Sequence, residues 1–203
     1  MKVRTHFNMA KLALRHMNGN DKKDKYSLFN RISLYVGSMV PDLNFIQIAI
    51  HPHFYKQSSN YVFYMISKIK KRKKVDMIFM FKLGIVMHYL NDFCCYVHRS
   101  GSIGNVNEHV TYERRMNKYL ILNKETIYKK LKVVQVKNQI NDISLEIKET
   151  LKKYYRANPS YILDINNSII MNILVFNYAL SYVSVDENKD VCRLDSKVQL
   201  IQI

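Results

Sequence analysis

The sequence predicts an all-α protein that forms a single helical domain. Only 5 Gly and 3 Pro occur in 203 residues, so long segments contain no residue that would end a helix. No run of alternating apolar and polar residues is strong enough to build a sheet. Two pairs of metal-type side chains stand four residues apart, which suits one face of a helix. We predict a helical domain over residues 1–185 and a charged tail over residues 186–203 that is poorly ordered.

Capping residues and helix breakers divide the chain into its predicted elements. Residues 38–56 contain Pro41 and Pro52, so much of this segment is predicted to be loop. The predicted helices are residues 7–17 capped by Thr5, 27–36 ending near Gly37, 58–74 capped by Ser58 or Ser59, 75–98, 107–122, and two or three more with a break at Asn158-Pro159.

The uncharged segment from Ile165 to Val185 is long enough to span a bilayer. It contains four asparagines and three serines, which are costly in lipid, so a buried core helix is the preferred interpretation. No apolar segment follows the charged N-terminus, so no signal peptide is visible. We therefore expect a cytoplasmic protein without a transmembrane segment, in peripheral contact with membrane at most.

The formal net charge is +16, from 32 Lys and Arg against 16 Asp and Glu. A basic surface can bind polyanions such as nucleic acid or anionic lipid. The alternative is codon bias, because 19 Asn and only 5 Ala suggest a gene rich in A and T. The run Lys68–Lys74 is either a phosphate-binding or membrane-surface patch, or a solvated helix end that complements the helix dipole.

The cysteines Cys94, Cys95 and Cys192 are odd in number and lack framework spacing, which argues against a disulfide scaffold. Adjacent Cys94 and Cys95 within a helix are typical of small buried residues, although a contact with metal is the alternative.

Five potential metal ligands lie close together in the chain: His88, Asp92, His98, His109 and Glu113. His88 and Asp92 form one i,i+4 pair, and His109 and Glu113 form another. A zinc ion usually takes about four ligands, so this set exceeds what one ion needs. All 7 histidines also lie within the first 109 residues. The sequence therefore predicts a zinc site with more than one ion, built on helices.

The direction of His98 depends on the helix that is predicted to carry it. If one helix covers residues 75–98, then at about 100° per residue His98 points away from the face of His88 and Asp92. We therefore expect His98 to serve a different ion, beside His109.

Asp42 follows Pro41 in an otherwise apolar stretch. An unpaired carboxylate is costly to bury, so an aspartate at this position needs a cation or a hydrogen-bond donor. The alternative is that Asp42 caps a helix that starts at Leu43.

These motifs resemble the zinc-dependent phospholipase C family, which is related in fold to the single-strand-specific zinc nucleases. The family pattern is an early His, a Pro-Asp motif, a His-Phe-aromatic motif, His-x3-Asp-x5-His and His-x3-Glu. Its counterparts appear in the same order over residues 5–113, as Thr5-His6, Pro41-Asp42, His53-Phe54-Tyr55, His88-x3-Asp92-x5-His98 and His109-x3-Glu113.

The resemblance implies an all-helical fold around two or three zinc ions. One ion would take Asp42, His53, His88 and Asp92, a second His98, His109 and Glu113, and a third His6 with Asp92 as a bridge. His51 competes with His53, and the Phe-Tyr that follows favours His53. In secreted members the third ion is also held by the amine and carbonyl of the mature first residue. This chain departs from that pattern, because it shows no signal peptide.

The function that the resemblance implies is hydrolysis of a phospholipid-type phosphodiester by zinc-activated water, with Asp42 as general base. Phe54 and Tyr55 would line the headgroup pocket, unless they pack in the core. Two alternatives stay open. A nuclease or nucleotidase would use the same cluster, although the absence of Trp leaves no obvious stacking platform. A non-catalytic protein would keep zinc only for its structure.

Overall fold

The computed structural model describes residues 1–19, 25–100, 104–131 and 140–183. Within these ranges every regular element is helical, and no strand occurs, so the predicted all-α single domain is confirmed. The elements are α1 Val3–Asn18, α2 Leu28–Leu43, α3 Phe45–Ile50, α4 Tyr55–Lys70, α5 Met77–Phe93, the 3₁₀ turn Tyr96–His98, α6 Val106–Leu131, α7 Ile143–Arg156 and α8 Tyr161–Leu180.

Helix α5 lies at the centre of the molecule, in contact with α1, α2, α4 and α8. Every residue from Leu83 to Phe93 is buried, as expected of a helix that is apolar on nearly all sides. Asp76 caps its N-terminus by accepting a hydrogen bond from Phe79 N at 2.8 Å. His88 and Asp92 lie on the last two turns of α5, so the packing that buries the helix also buries these two side chains.

Helices α2 and α5 pack unusually close through two glycines. A Cβ on Gly84 would lie 2.2 Å from Leu34 O, and a Cβ on Gly37 would lie 2.1 Å from Phe81 O. No side chain fits at either position, and the resulting approach lets Ser38 O on α2 reach the His88 ring on α5 at 2.9 Å. The prediction that α2 ends near Gly37 is therefore wrong, because this glycine serves helix packing inside α2.

Helix α1 begins earlier than predicted, at Val3, with Lys2 at the N-cap position. Thr5 does not cap the helix; its buried hydroxyl donates instead to Asn117 Oδ1 at 3.1 Å. Because residue 6 now lies inside the first turns of α1, His6 is held on a rigid element and is completely buried.

The segment 38–56 is more helical than predicted. Helix α2 continues through Pro41 to Leu43, and α3 follows at once. Asn44 caps α3 by accepting from Ile46 N and Gln47 N. The N-cap alternative for Asp42 is therefore wrong, because Asp42 occupies the last turn of α2. Helix α4 also begins before Ser58, whose hydroxyl donates to Pro52 O.

The predicted helix 75–98 is shorter in the structure and ends at Phe93. The chain turns at Cys94 and Cys95 and forms the 3₁₀ turn that ends with His98. This break brings His98 back toward Asp92, so the expectation that a continuous helix directs His98 away is wrong. Helix α6 extends to Leu131, beyond the predicted end at Leu122.

Helix α8 packs against α5 and α1 as a buried core helix, which confirms the preferred interpretation of the segment from Ile165. None of the described helices combines the length and the apolar composition that a membrane-spanning helix needs. Helices α7 and α8 are separated at Asn158-Pro159 as predicted, and Ser160 caps α8. The predicted tail 186–203 lies outside the described residues, as does Cys192.

Candidate metal centre

The predicted ligands come from four helices and two connections, and the fold brings them together at one end of α5. His6 comes from α1, Asp42 from α2, and His88 and Asp92 from α5. His109 and Glu113 come from α6, His53 from the turn between α3 and α4, and His98 from the 3₁₀ turn. These side chains form three groups, and within each group the potential ligand atoms lie no more than 4.8 Å apart. The groups are His6 with His88 and Asp92, Asp42 with His53 and His88, and His98 with His109 and Glu113.

Asp92 lies at the middle of this cluster. Its Oδ2 is 3.2 Å from His88 Nε2 and 3.2 Å from His53 Nδ1. Its Oδ1 is 3.5 Å from His6 Nε2 and 3.9 Å from His98 Nε2. One carboxylate thus faces four imidazoles and lies between the groups. A carboxylate in this position could bridge two ions.

Asp42 completes the side of the cluster nearer to solvent. Its Oδ1 is 3.5 Å from His53 Nδ1 and 3.7 Å from His88 Nε2, and its Oδ2 is 3.7 Å from His6 Nε2. The side chain of Asp42 is 13 % exposed, whereas those of His6, His88 and Asp92 are fully buried. Burial raises the pKa of the Asp42 carboxyl above its ordinary value.

The third group is compact and lies beside Asp92. Glu113 Oε1 is 2.9 Å from His109 Nε2, one turn earlier on α6, and 3.3 Å from His98 Nε2. Although burial alone would raise the pKa of Glu113, the bonds from His109 and His98 lower it below its ordinary value. Glu113 is therefore a carboxylate, the form that binds a metal.

The spacing of these atoms fits zinc. Tetrahedral coordination with Zn–N and Zn–O bonds of about 2.0–2.1 Å places ligand atoms about 3.3 Å apart. The contacts of Asp92 with His88 and His53 match this value, as does that of Glu113 with His98. Several of the buried atoms have no hydrogen-bond partner among the described residues: His6 Nε2, His88 Nε2, Asp42 Oδ2 and Asp92 Oδ2. Such atoms are costly to bury unless they bind something, and a cation would satisfy all of them.

Backbone carbonyls fix two of the imidazoles. His88 Nδ1 lies 2.9 Å from Ser38 O, and His98 Nδ1 lies 2.9 Å from His53 O. A carbonyl only accepts, so each Nδ1 carries the proton and each Nε2 presents a lone pair to the cluster. This arrangement is typical of metal-bound histidine. Because His53 supplies the carbonyl, the loop that carries one ligand also orients another.

The third imidazole, that of His6, is held by a pair of side-chain amides that no sequence motif indicates. His6 Nδ1 lies 3.4 Å from the amide of Asn91, which lies 2.9 Å from that of Asn172 on α8. If each amide is turned over so that its oxygen and nitrogen exchange places, Asn91 accepts a hydrogen bond from His6 Nδ1. Asn91 then also donates to Asn172 Oδ1, which otherwise has no partner in the described chain. His6 Nε2 is then free of a proton. Asn91 is fully buried next to Asp92, but a lone asparagine gives no recognisable signal in sequence.

The N-terminal amino group lies in the same cluster. The amine of Met1 forms an ion pair with Asp92, lies 3.2 Å from Glu113 Oε1 and is 3.5 Å from His98 Nε2. Burial lowers the pKa of this amine, but the two carboxylates more than offset this effect and raise it to about 12. In turn, the ammonium and the neighbouring imidazoles keep the pKa of Asp92 well below its ordinary value despite its burial. Asp92, like Glu113, is therefore ionised, the form in which a carboxylate could bind a metal.

A second buried carboxylate anchors the connection that carries His98. Asp164 on α8 accepts hydrogen bonds from Tyr96 N at 2.8 Å, Tyr112 Oη at 2.9 Å and Tyr154 Oη at 2.7 Å. These donors come from the 3₁₀ turn, α6 and α7, so Asp164 joins three elements to a fourth. No sequence motif indicates this role, because two of the three donors are 52 and 68 residues away in the chain.

Other predicted residues lie around the centre without joining it. His51 stacks on Tyr61 with ring centroids 3.8 Å apart, and it belongs to none of the three groups. Phe54 is buried 5.5 Å from the His98 ring, and Tyr55 packs edge-on against Phe93 at 5.3 Å. Both aromatic rings are therefore packed against their neighbours. Cys94 and its neighbour Cys95 are buried and free, as expected of small core residues.

Comparison with known proteins identifies the class of this fold and site. The family model for zinc-dependent phospholipase C matches residues 5–161, from α1 to the start of α8. The match covers most of the 203 residues, so the chain belongs to the zinc-dependent phospholipase C family. Neither a curated protein nor a solved structure matches the chain significantly. The resemblance inferred from the histidine and carboxylate motifs is thus confirmed.

Proposed function

We propose that the protein is a zinc-dependent hydrolase that cleaves phospholipid-type phosphodiesters. The observation that carries the proposal is the arrangement of eight candidate ligands in three groups beside Asp92, in each of which the ligand atoms lie within 4.8 Å of one another. More ligands are present than a single closed structural site uses. A cluster open on one side is typical of catalytic zinc.

The number of ions is part of this proposal. Two ions would use Asp42, His53, His88 and Asp92 on one side and His98, His109 and Glu113 on the other. A third would use His6 with Asp92 as a bridge. The His6 group supports this third position, because its Nε2 is buried without a partner in the described chain.

The side of the cluster that reaches solvent suggests where substrate enters. His6, His88 and Asp92 are sealed from solvent, whereas the side chains of Asp42, His53, Glu113 and His109 are each 11–13 % exposed. A phosphate group would approach over this edge, and the buried ligands would hold the ions from behind.

When bound, zinc supplies Lewis acidity toward phosphoryl oxygens and lowers the pKa of water toward about 7. The protein's own contribution is positioning and proton transfer. Asp42 is our candidate general base, because it is both at the solvent edge and beside three imidazoles. Burial raises the pKa of its carboxyl, which improves its strength as a base. The carbonyls of Ser38 and His53 keep two ligand rings in the orientation that the reaction requires.

The first test replaces the proposed base by its amide. Asp42→Asn keeps the shape of the side chain but removes its charge, so hydrolysis should fall by on the order of 10²-fold or more. The fold should largely persist, as measured by thermal unfolding. Turnover is measured on a short-chain phosphatidylcholine and on a short oligonucleotide, which separates a phospholipase from a nuclease.

The matched control is Asp142→Asn, because Asp142 is an exposed N-cap on α7, and Asn caps a helix about as well. This control should keep full turnover. Normal turnover of Asp42→Asn on both substrates would remove Asp42 from the mechanism. A wild-type protein that holds its zinc but cleaves neither substrate would favour the non-catalytic alternative.

A further inference from the structure

The outer side of α2 and the adjoining helix α3 carry an unusual concentration of exposed apolar side chains. Of the 18 large apolar residues that are exposed in the described chain, 8 lie between residues 28 and 50. Single exposed apolar residues are ordinary, but a cluster marks an interaction surface. We define the apolar face as the following six residues: Phe29, Ile32, Val36 and Leu43 on α2, and Phe45 and Ile46 on α3.

Helix geometry aligns this face. Phe29, Ile32, Val36 and Leu43 repeat at intervals of three, four and seven residues, which places them on one side of α2. The opposite side, with Leu34, packs against α5, so α2 is apolar on both sides. Only one side is covered by the described residues.

Helix α3 presents its apolar residues outward. Gln47 Nε2 on its inner side donates to Tyr61 Oη at 3.3 Å, which ties the helix to α4. Phe45 and Ile46 lie on the outside, with 86 % and 72 % of their surface exposed. Exposure at this level is unfavourable in water, because burial of apolar surface is favourable in proportion to its area.

The α3 part of the apolar face is close in the chain to the candidate metal centre. Phe45 follows Asp42 by three residues, so their Cα atoms lie within about 11 Å of each other. Asp42 is one of the candidate ligands that reach solvent. A surface that covers Phe45 therefore lies near the side of the centre over which a phosphate group would enter.

The charge around the face is strongly positive. Residues 25–75 contain nine Lys and Arg, and Asp42 is the only acidic residue among them. Asn30 Nδ2 donates to Val75 O at 3.3 Å, which brings the end of the basic run beside the first turn of α2. Lys71 and Lys74 of this run are exposed. Two copies of such a surface would repel each other, whereas an anionic lipid surface would attract each basic residue near it.

We propose that the apolar face docks on the surface of an anionic phospholipid bilayer, with Phe45 and Ile46 inserted beside the metal centre. The proposal rests on the proposed function, because the bilayer would hold the substrate whose phosphate enters the site. Apolar side chains at an interface and lysines at its edge are the combination that peripheral membrane surfaces use. Docking here delivers a headgroup to Asp42 without the lipid leaving the membrane entirely.

The apolar contribution is tested by co-sedimentation of the full-length protein with vesicles of phosphatidylcholine and phosphatidylglycerol. The double variant Phe45→Ser with Ile46→Ser should bind these vesicles more weakly by roughly tenfold or more. The control is Leu122→Ser with Leu145→Ser, because these residues are 72 % and 55 % exposed on α6 and α7, away from the face. The control should bind like the wild type. Equal loss in both double variants would overturn the proposal.

The electrostatic contribution has its own pair of variants. Lys71→Glu with Lys74→Glu should reduce binding to vesicles that contain phosphatidylglycerol, and binding of the wild type should weaken as salt rises. Lys129→Glu with Lys130→Glu makes the same charge change at exposed positions on α6 and should reduce vesicle binding much less. If the two pairs weaken binding equally, net charge alone attracts the protein, and the proposed orientation is wrong.

Hydrolysis of a water-soluble phosphodiester, bis(p-nitrophenyl) phosphate, is measured in parallel because it needs no bilayer. Vesicle binding without hydrolysis supports the docking surface while removing the proposed function. Hydrolysis without vesicle binding overturns the docking surface alone. The alternative is that the face binds a second copy of the chain. In that case the wild type would be dimeric by analytical ultracentrifugation and would not bind vesicles, and the double variant Phe45→Ser with Ile46→Ser would be monomeric. This result would overturn the proposal.

Discussion

At the scale of single residues, the orientation of the ligands decides what the centre can hold. His88 and His98 are oriented by carbonyls, which no side-chain substitution removes. His6 differs, because its Nδ1 depends on the Asn91–Asn172 amide pair. The His6 group is therefore the one that a substitution outside the ligand set can weaken by itself.

We predict that Asn172→Leu weakens the ion held by His6 while leaving the others in place. The substitution keeps the volume of the side chain but removes the group that orients the Asn91 amide. Loss of such an outer partner typically costs 10–100-fold in metal affinity, so we expect a weakening of about that size. Competition with a chromophoric chelator measures it. Asn167→Leu on the same helix is the control, and an equal effect of both would contradict the assignment.

At the scale of elements, the α2–α5 contact and the connection after α5 place the ligands. The helix that carries His88 and Asp92 is predictable from sequence, because its apolar run and its ligand spacing are local. The continuation of α2 through Gly37 is not predictable, because this glycine packs against Phe81 on another helix. The turn at Cys94 that redirects His98 is not predictable either, since Tyr96 N and its acceptor Asp164 are 68 residues apart in the chain.

The α2–α5 contact predicts a destabilising effect for Gly84→Ala. This change usually stabilises a helix, but here the new Cβ would lie 2.2 Å from Leu34 O and 2.7 Å from Ser38 N. The two helices must move apart, at a cost of about 1–3 kcal/mol in the free energy of unfolding. Zinc content should fall as well, because Ser38 O orients His88. Asn60→Ala at an exposed position of α4 is the control in urea unfolding, and a neutral Gly84→Ala would show that the contact is looser than described.

The anchor of the 3₁₀ turn predicts that Asp164→Ala destabilises the fold and the site together. Three donors would lose their acceptor, and the buried Tyr154 hydroxyl alone would cost about 1–3 kcal/mol if it stayed unsatisfied. Tyr155→Phe is the comparison, because it removes only one hydrogen bond, to Phe93 O, and should cost about 1 kcal/mol. If Asp164→Ala behaved like Tyr155→Phe in thermal unfolding, the carboxylate would not be the anchor.

At the scale of the whole molecule, local sequence motifs indicate the candidate ligands, whereas long-range packing determines which residues hold them in place. The eight candidate ligands stand in recognisable sequence motifs, and the structure brings all of them within one cluster. That they bind metal stays a prediction. The residues that hold those ligands were not predicted. Asn91, Asp164 and Gly37 act through partners elsewhere in the chain, and their residue types alone carry no signal. The apolar face was also missed, because apolar spacing on α2 does not reveal which side stays uncovered.

The central claim is that these side chains hold a zinc centre of more than one ion, and metal analysis tests it most directly. Protein purified without a chelator is folded, desalted and measured by inductively coupled plasma mass spectrometry. We expect at least two zinc ions for each wild-type chain. The zinc content of His16→Ala should be unchanged, because this ring lies outside the three groups, and the zinc content of His98→Ala should be lower. Fewer than one zinc ion for each fully folded wild-type chain would contradict the account.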